Sequence, residues 1–167
     1  GYCLRLGALD YSPFANRLTA QSLTVSATNL TFKAGPTAVA GVRWARLLSG
    51  TMALGDGVAQ ASLDTTNLMW DLPAAKYEIS CVRLRASVAA AECHIEGAEL
   101  RPRSGDEAFF AASAYRATRF RVVVPECRLS GVDYPELLRG SAYRATAIHF
   151  SRPSFEALVN RDKPVDL

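Results

Sequence analysis

Residues 119–124, Arg119-Phe120-Arg121-Val122-Val123-Val124, alternate between two kinds of side chain over most of a short stretch in the second half of the chain. Successive side chains of a β-strand point to opposite faces, so Phe120, Val122 and Val124 fall on one face and the two arginines on the other. The same alternation occurs in three further stretches, residues 17–21, 92–96 and 145–150. Such strands are typical of antiparallel sheets. The sequence therefore predicts an all-β fold, an antiparallel curved sheet or open groove with a few short helical turns.

A ten-residue motif follows this stretch and occurs twice. Residues 131–140 and 41–50 both have the form G-V-x-aromatic-x-x-L-L-x-G, ninety positions apart. With the same offset, three apolar residues of the first half fall on the apolar residues of the opening stretch: Leu30, Phe32 and Ala34. Self-similarity of this kind indicates an internal repeat. We interpret the chain as two tandem similar halves, with a first β repeat over 1–72, a linker at 73–76, a second β repeat over 77–160 and a C-terminal tail over 161–167.

Both copies are predicted to have the same order of elements, giving ten strands in all. In the first copy the strands cover residues 2–9, 17–26, 30–34, 37–42 and 57–71. In the second copy they cover residues 77–85, 92–101, 118–124, 126–132 and 141–157. A short helical turn precedes the last strand of each copy, at 43–49 and 133–139. Gly50 and Gly140 follow these turns, as expected for left-handed helix ends.

Two local signals add detail to the second copy. The apolar phase changes between Cys93-x-Ile95 and Ala98-x-Leu100, and Gly97 at that point indicates a β-bulge. The second copy also carries about 15 extra residues around 104–118, an estimate from the change in repeat offset. Ser104 and Glu107 have the spacing of a capping box there, which predicts an inserted short helix near 104–112.

The charge balance excludes several classes of protein. The chain has 19 basic and 16 acidic residues, and it lacks the basic excess of a nucleic-acid binder. We therefore predict no nucleic-acid partner. No run of 18 apolar residues occurs, so no segment is expected to cross a bilayer as a helix. The chain begins at Gly1, and we expect any export signal or membrane anchor to lie upstream of it.

Four cysteines, Cys3, Cys81, Cys93 and Cys127, allow several pairings. Cys81 and Cys93 flank a predicted turn near Ser87 and occupy positions that are apolar in the first copy. One interpretation is a disulfide between them across neighbouring strands. The other is a pair of buried thiols that pack as small apolar side chains. Cys3 and Cys127 are predicted to be free, or anchored by something outside this chain.

Catalytic and metal-binding motifs were weighed as well. Glu92, His94 and Glu96 share one strand face, a spacing that suits metal ligands, but a solvated strand face has the same pattern and no fourth ligand is evident. The chain contains neither a glycine-rich phosphate loop nor a nucleophile motif around its two histidines. We predict no metal, no cofactor and no catalytic residue, and hence a protein that is not an enzyme.

The second copy also resembles a known family. Tyr77-Glu78-Ile79-Ser80, Ala98-Glu99-Leu100-Arg101-Pro102, the Phe-containing 106–110, the motif at 131–138 and Asn160-Arg161-Asp162-Lys163-Pro164 follow one another as in the AsmA-like superfamily, which includes AsmA and TamB. The resemblance implies a curved β-groove on the periplasmic side of the inner membrane, held by an anchor upstream of Gly1. Large members are implicated in moving phospholipid between membranes. Ten strands make a sheet only about 50 Å wide, too short to bridge two membranes alone.

Two functions follow as expectations. The first is a non-enzymatic structural or interaction subunit of a membrane-associated assembly, whose partner is a membrane protein complex or a membrane-anchored protein. The alternative is a lipid-binding or lipid-transfer module that contacts phospholipid. In either case the expected contact surface is an apolar groove formed by Leu18, Ala20, Phe32, Phe120, Val122, Val124 and Ile148. Six arginines of the second copy are predicted to form a solvated face or to meet anionic lipid headgroups: Arg83, Arg85, Arg101, Arg103, Arg119 and Arg121.

Overall fold

The computed structural model describes residues 3–28 and 30–165 of the chain. Strands account for 51 % and helices for 15 % of these residues, and the strands form one open antiparallel sheet. The predicted all-β class with a few short helices is therefore confirmed. Tyr2, where the first predicted strand begins, lies outside the described residues, as do the last two residues of the predicted tail, 166–167.

Twelve strands and four α-helices alternate along the described chain. The first half contains β1 (Cys3–Leu6), β2 (Leu9–Ser12), β3 (Arg17–Ala20), β4 (Leu23–Ala27), β5 (Leu30–Ala34), β6 (Thr37–Ala40), α1 (Trp44–Leu48), α2 (Leu54–Val58) and β7 (Ser62–Leu72). A 3₁₀ turn (Pro73–Ala75) leads to the second half. The second half contains β8 (Tyr77–Ser87), β9 (Glu92–Pro102), α3 (Asp106–Ala111), β10 (Thr118–Ser130), α4 (Tyr134–Arg139), β11 (Ala147–Ser151) and β12 (Ser154–Val159).

The sheet is eight strand positions wide, because pairs of short strands share one position. β1 and β2 share the first edge, followed by β4 with β3, β5 with β6, then β7, β8, β9 and β10, and last β11 with β12. The predicted ten separate strands are therefore wrong in number. Residues 118–124 and 126–132, predicted as two strands, belong to the single strand β10, which continues through Pro125 to Ser130. Pro125 is tolerated because no strand pair is made at its position.

A crease crosses the sheet from edge to edge and interrupts the pairing of each strand. In β7 and β8 the pair Thr66 with Arg83 is followed by Leu68 with Cys81, and the residues between them make no pair. Asn67 has a φ of 52°, which rotates the following residues relative to the preceding ones. The break recurs in the first half between β1 and β2, β3 and β4, and β5 and β6. We call this row of unpaired positions the crease.

Gly97 is the crease residue of β9, and the predicted bulge is only partly right. Gly97 has a φ of 62°, and a Cβ there would lie 2.6 Å from the Val82 side chain. Glycine is therefore required both by conformation and by space. A single bulge places two residues against one and shifts the register. The β8–β9 register is the same on both sides of Gly97, because the neighbouring strands break at the same row.

The helices connect strands at the two ends of the sheet. Helices α1, α2 and α4 lie at the end where β6 and β10 finish, and Gly140 ends α4 in the left-handed conformation, as predicted. Helix α2 falls partly in the predicted strand 57–71; it contains two glycines and no side-chain cap, so no local pattern indicates it. Helix α3 lies at the opposite end, and its N-cap is Gly105, without a side-chain bond. The predicted capping box of Ser104 is therefore not formed.

The tail after β12 is held against α3. Lys163 donates from Nζ to the carbonyl oxygens of Phe110, at 2.7 Å, and of Ser113. Arg116 donates its backbone N–H to the carbonyl of Pro164 at 2.7 Å. A lysine at the last carbonyls of a helix satisfies acceptors that the helix itself leaves open. Residues 161–165, predicted as a plain tail, thus fix the position of the inserted helix.

Candidate functional site

One face of the sheet carries nearly all of its apolar side chains. On both sides of the crease the strand registers align apolar residues across neighbouring strands, such as Trp70 with Ile79 and Leu63 with Ala86. In β8 the crease separates the apolar residues Cys81 and Leu84, which are three residues apart. In an unbroken strand this spacing would put them on opposite faces of the sheet. The break in the strand puts both on the same face. Leu84 and Ile95 from one side of the crease pack on the cluster of Ala34, Leu68 and Cys81 at the other. We call this surface the apolar face.

The seven predicted groove residues all fall on the apolar face. Leu18, Ala20 and Ile148 lie on one side of the crease, where Leu18 pairs with Val39 and Ile148 with Leu129. Phe32, Phe120, Val122 and Val124 lie on the other side, in positions aligned with other apolar residues: Phe32 with Trp70, Val122 with Leu100, Val124 with Ala98 and Phe120 with Ala157. The alternation in the sequence was sufficient to assign these positions.

The apolar face is poorly covered within the chain. The protein exposes 10827 Å² of surface, whereas a compact monomer of its 18.0 kDa mass exposes about 8,000 Å². The most exposed apolar side chains of this face lie on the two outermost strand positions: Leu4 at 60 %, Leu9 at 54 %, Ile148 at 54 % and Phe155 at 66 %. Apolar exposure on this scale is typical of an interaction surface or a ligand-binding groove.

The opposite face is polar, and its charges neutralise one another. All six arginines singled out in the sequence form ion pairs: Arg83 with Asp64, Arg85 with Glu96, Arg101 with Glu78, Arg103 with Asp71, Arg121 with Glu99, and Arg119 with both Asp106 and Glu156. Five of these arginines pair across neighbouring or next-neighbouring strands of the sheet, and the sixth, Arg119, also reaches helix α3. The arginines therefore do not form a patch of unpaired positive charge.

His94 lies at the centre of this polar network. Its Nδ1 is 2.9 Å from Arg85 Nη2, and its Nε2 is 2.8 Å from Glu126 Oε1. A neutral imidazole with its proton on Nε2 satisfies both contacts, since arginine only donates and a carboxylate only accepts. Arg128, followed by His94, holds the pKa of Glu126 below its usual range through hydrogen bonds. Within the described residues no group of histidine, cysteine, aspartate and glutamate is arranged to hold a metal ion.

A groove of about 800 Å³ runs over the polar face between the crease and the α4 end. Its walls include Arg17, Asp64, Arg85, His94 and His149. Small-molecule sites are mostly apolar with a few fixed polar groups. Charged side chains line this groove together with small residues such as Ala38 and Ala147. Of the charged ones, Asp64 and Arg85 already have partners of their own. Sequence reasoning did not identify the groove, although the charged alternation of facing strands was its signal.

The predicted Cys81–Cys93 disulfide is not formed, and all four cysteines are free. In the β8–β9 register Cys93 faces Ala86, five residues along the strand from Cys81. Cys81 instead lies buried beside the crease and donates from Sγ to the carbonyl of Arg83 at 3.1 Å. Burial raises the pKa of the Cys81, Cys93 and Cys127 thiols. The alternative interpretation, free thiols that pack as apolar side chains, describes both residues, with Cys81 buried and Cys93 partly buried.

Comparison with known proteins adds no family. No family model and no curated protein matches the chain. The AsmA-like resemblance therefore stays a prediction. Among the residues that the structure describes, no helix is long and apolar enough to cross a membrane.

Proposed function

We propose that the protein is a non-enzymatic interaction subunit of a membrane-associated assembly, in which a partner protein covers the apolar face. The observation that carries this proposal is the large uncovered area of that face. With seven strand spacings and central strands of 11 residues, the face measures about 34 by 36 Å, or roughly 1,200 Å². A stable protein interface buries about 800 Å² on each partner.

The shape of the surface favours protein over lipid as the occupant. A groove of the sheet lies on the polar face, among charged side chains that do not suit an acyl chain. The paired arginines leave little charge for anionic headgroups. A protein partner with an apolar surface of similar size is the better match. The AsmA-like resemblance adds the periplasmic side of an inner membrane as the proposed location.

A photo-reactive side chain on each face tests this proposal. Benzoylphenylalanine replaces Phe120 on the apolar face in one variant and Val82 in the other. Val82 is the matched control, because it follows Cys81 on the opposite side of the strand and is 60 % exposed, more than the 38 % of Phe120. Cells that produce the variants are irradiated, and the adducts are identified by mass spectrometry.

The proposal expects protein adducts from the Phe120 variant and few from the Val82 variant. Phospholipid adducts at Phe120 would replace it with the lipid-binding alternative. Equal adducts from both positions, or none from Phe120 in a protein that keeps its strand content by circular dichroism, would refute it. As a control for the photochemistry, the purified Phe120 variant is irradiated with added detergent, with which it should form adducts.

A further inference from the structure

Both edges of the sheet are open and carry large apolar side chains. On the first edge Leu4, Leu9 and Tyr11 are 60 %, 54 % and 47 % exposed. On the last edge Ile148, Phe150 and Phe155 are 54 %, 51 % and 66 % exposed. Each edge also presents the unpaired backbone N–H and C=O groups of an outer strand. Such edges readily pair with another strand, and natural proteins usually protect them with charge or proline.

The internal repeat supplies a template for what pairs there. In the repeat alignment β1 and β2 correspond to β8 with an offset of 75 residues, and β11 and β12 correspond to β7 with an offset of 85. β7 and β8 pair with each other in the middle of the sheet, over ten residue pairs. At the β7–β8 junction, the last edge of the sheet is therefore equivalent to β7 and the first edge to β8.

Transfer of the β7–β8 register to the two edges matches their exposed side chains. The central pairs Leu63 with Ala86, Thr65 with Leu84 and Trp70 with Ile79 become Ile148 with Tyr11, Phe150 with Leu9 and Phe155 with Leu4. All six exposed residues are covered by this one register. On the polar side, His149 comes opposite Asp10, where the central junction has Asp64 opposite Arg85.

We infer that the last edge of one chain pairs with the first edge of a second copy of this chain, and extends the sheet head to tail. Main-chain hydrogen bonds would provide the association, and the three apolar pairs would fix the register. Two different edges meet, so each added copy leaves one of each edge open, and the assembly grows with concentration. This inference concerns the edges and is independent of the partner proposed for the apolar face.

Two single-site variants test the pairing in a Cys3→Ser background. Tyr11→Cys and Ile148→Cys chains are mixed and oxidised with copper phenanthroline, and the products are separated without reductant. We expect covalent dimers from the mixture and none from either variant alone. The matched control replaces Ile148→Cys with His149→Cys, because the adjacent residue points to the opposite face. Neither variant carries both new cysteines, so no bond between the two edges of one chain can compete.

Absence of mixed dimers would overturn the inference. Dimers from one variant alone would overturn it too, since they require like edges to meet, and so would equal yields with His149→Cys. Sedimentation velocity gives an independent measurement. Phe150→Lys should weaken self-association at least tenfold, whereas Phe14→Lys, at a turn position that is 105 % exposed, should leave it unchanged. Equal effects of the two lysines would also contradict the inference.

Discussion

The two halves of the sheet have the same order of elements but are held together differently. Strands β8, β9 and β10 run through the crease without a break, whereas the first half divides each of its first three strand positions into two short strands. Of the nine ion pairs between arginine and carboxylate among the described residues, seven lie within the second half and the other two join it to β7. Within the described part of residues 3–72, no ion pair joins two residues.

The helices within the two copies of the repeated motif also differ, and again the second half has more polar contacts. Asp133 caps α4 and accepts a hydrogen bond from the Glu136 backbone N–H, whereas Arg43 at the same position of α1 makes no side-chain cap. The motif aromatic Tyr134 donates to the Glu92 carbonyl at 2.6 Å, and burial raises the pKa of Tyr134 to about 12. The indole Nε1 of Trp44 has no hydrogen-bond partner. The two halves thus share one order of elements, although the first half has few polar side-chain contacts and the second half has many.

The largest effect is expected where the two halves share a core. Leu68 is 4 % exposed and packs with Ala34 and Cys81 beside the crease. Leu68→Ala should lower the free energy of unfolding by about 2–4 kcal/mol, because it removes buried methyl groups and leaves a cavity. Urea unfolding followed by circular dichroism measures the loss. Leu138→Ala, at an exposed helix position, is the control. A loss below about 1 kcal/mol would mean that the halves do not share this core.

An effect of intermediate size on stability should distinguish the N-termini of α4 and α1. Asp133→Ala removes the cap of α4 and should cost about 1 kcal/mol. Arg43→Ala at the equivalent position should cost no more than about 0.5 kcal/mol, since no side-chain cap is lost. The same urea titration compares both variants. Equal losses would show that capping does not distinguish the two halves.

A smaller effect on stability is expected from one ion pair, and it should depend on pH. Arg83 hydrogen-bonds to Asp64 and lowers the pKa of that carboxyl. A carboxyl with a depressed pKa stabilises the fold above its unfolded pKa of about 4, and this contribution disappears as the pH falls through the folded pKa. Asp64→Asn should therefore lower stability at pH 7 by less than about 1 kcal/mol, because the pair is partly exposed. The difference in stability between the variant and the unaltered chain should shrink as the pH falls below about 4; a constant difference would contradict this linkage.

The smallest perturbation uses thiol reactivity and leaves stability unchanged. Cys3 in the first half is exposed, whereas burial raises the pKa of the three thiols of the second half. Reaction of the native chain with a maleimide at pH 7 should modify Cys3 quickly and the others slowly. After unfolding without reductant, all four should react. A mass two hydrogens short, with Cys81 and Cys93 unreactive, would restore the rejected disulfide.

The fold class and the apolar face were predictable because strand alternation is a local signal. Phe120, Val122 and Val124 share a face for the same reason in any strand. The change in the apolar alternation at Gly97 was visible in the sequence too. Its meaning was not, because only the pairing with neighbouring strands shows that the breaks line up as the crease. The thiol pairing failed because it depends on register, which the turn after Ser87 sets. Helix α2 has no cap and two glycines, so tertiary packing alone accounts for it.

The account depends on one face of the sheet being apolar and bare in the isolated chain. Carbene footprinting with mass spectrometry measures this directly, side chain by side chain. In a sample dilute enough to be monomeric, Leu4, Phe120 and Phe155 should be labelled strongly, whereas Leu68, at 4 % exposure, gives the level of a buried residue in the same molecule. Labelling of those three at the Leu68 level, in a chain that sediments as a monomer, would show that the chain covers its own apolar face and would contradict the account.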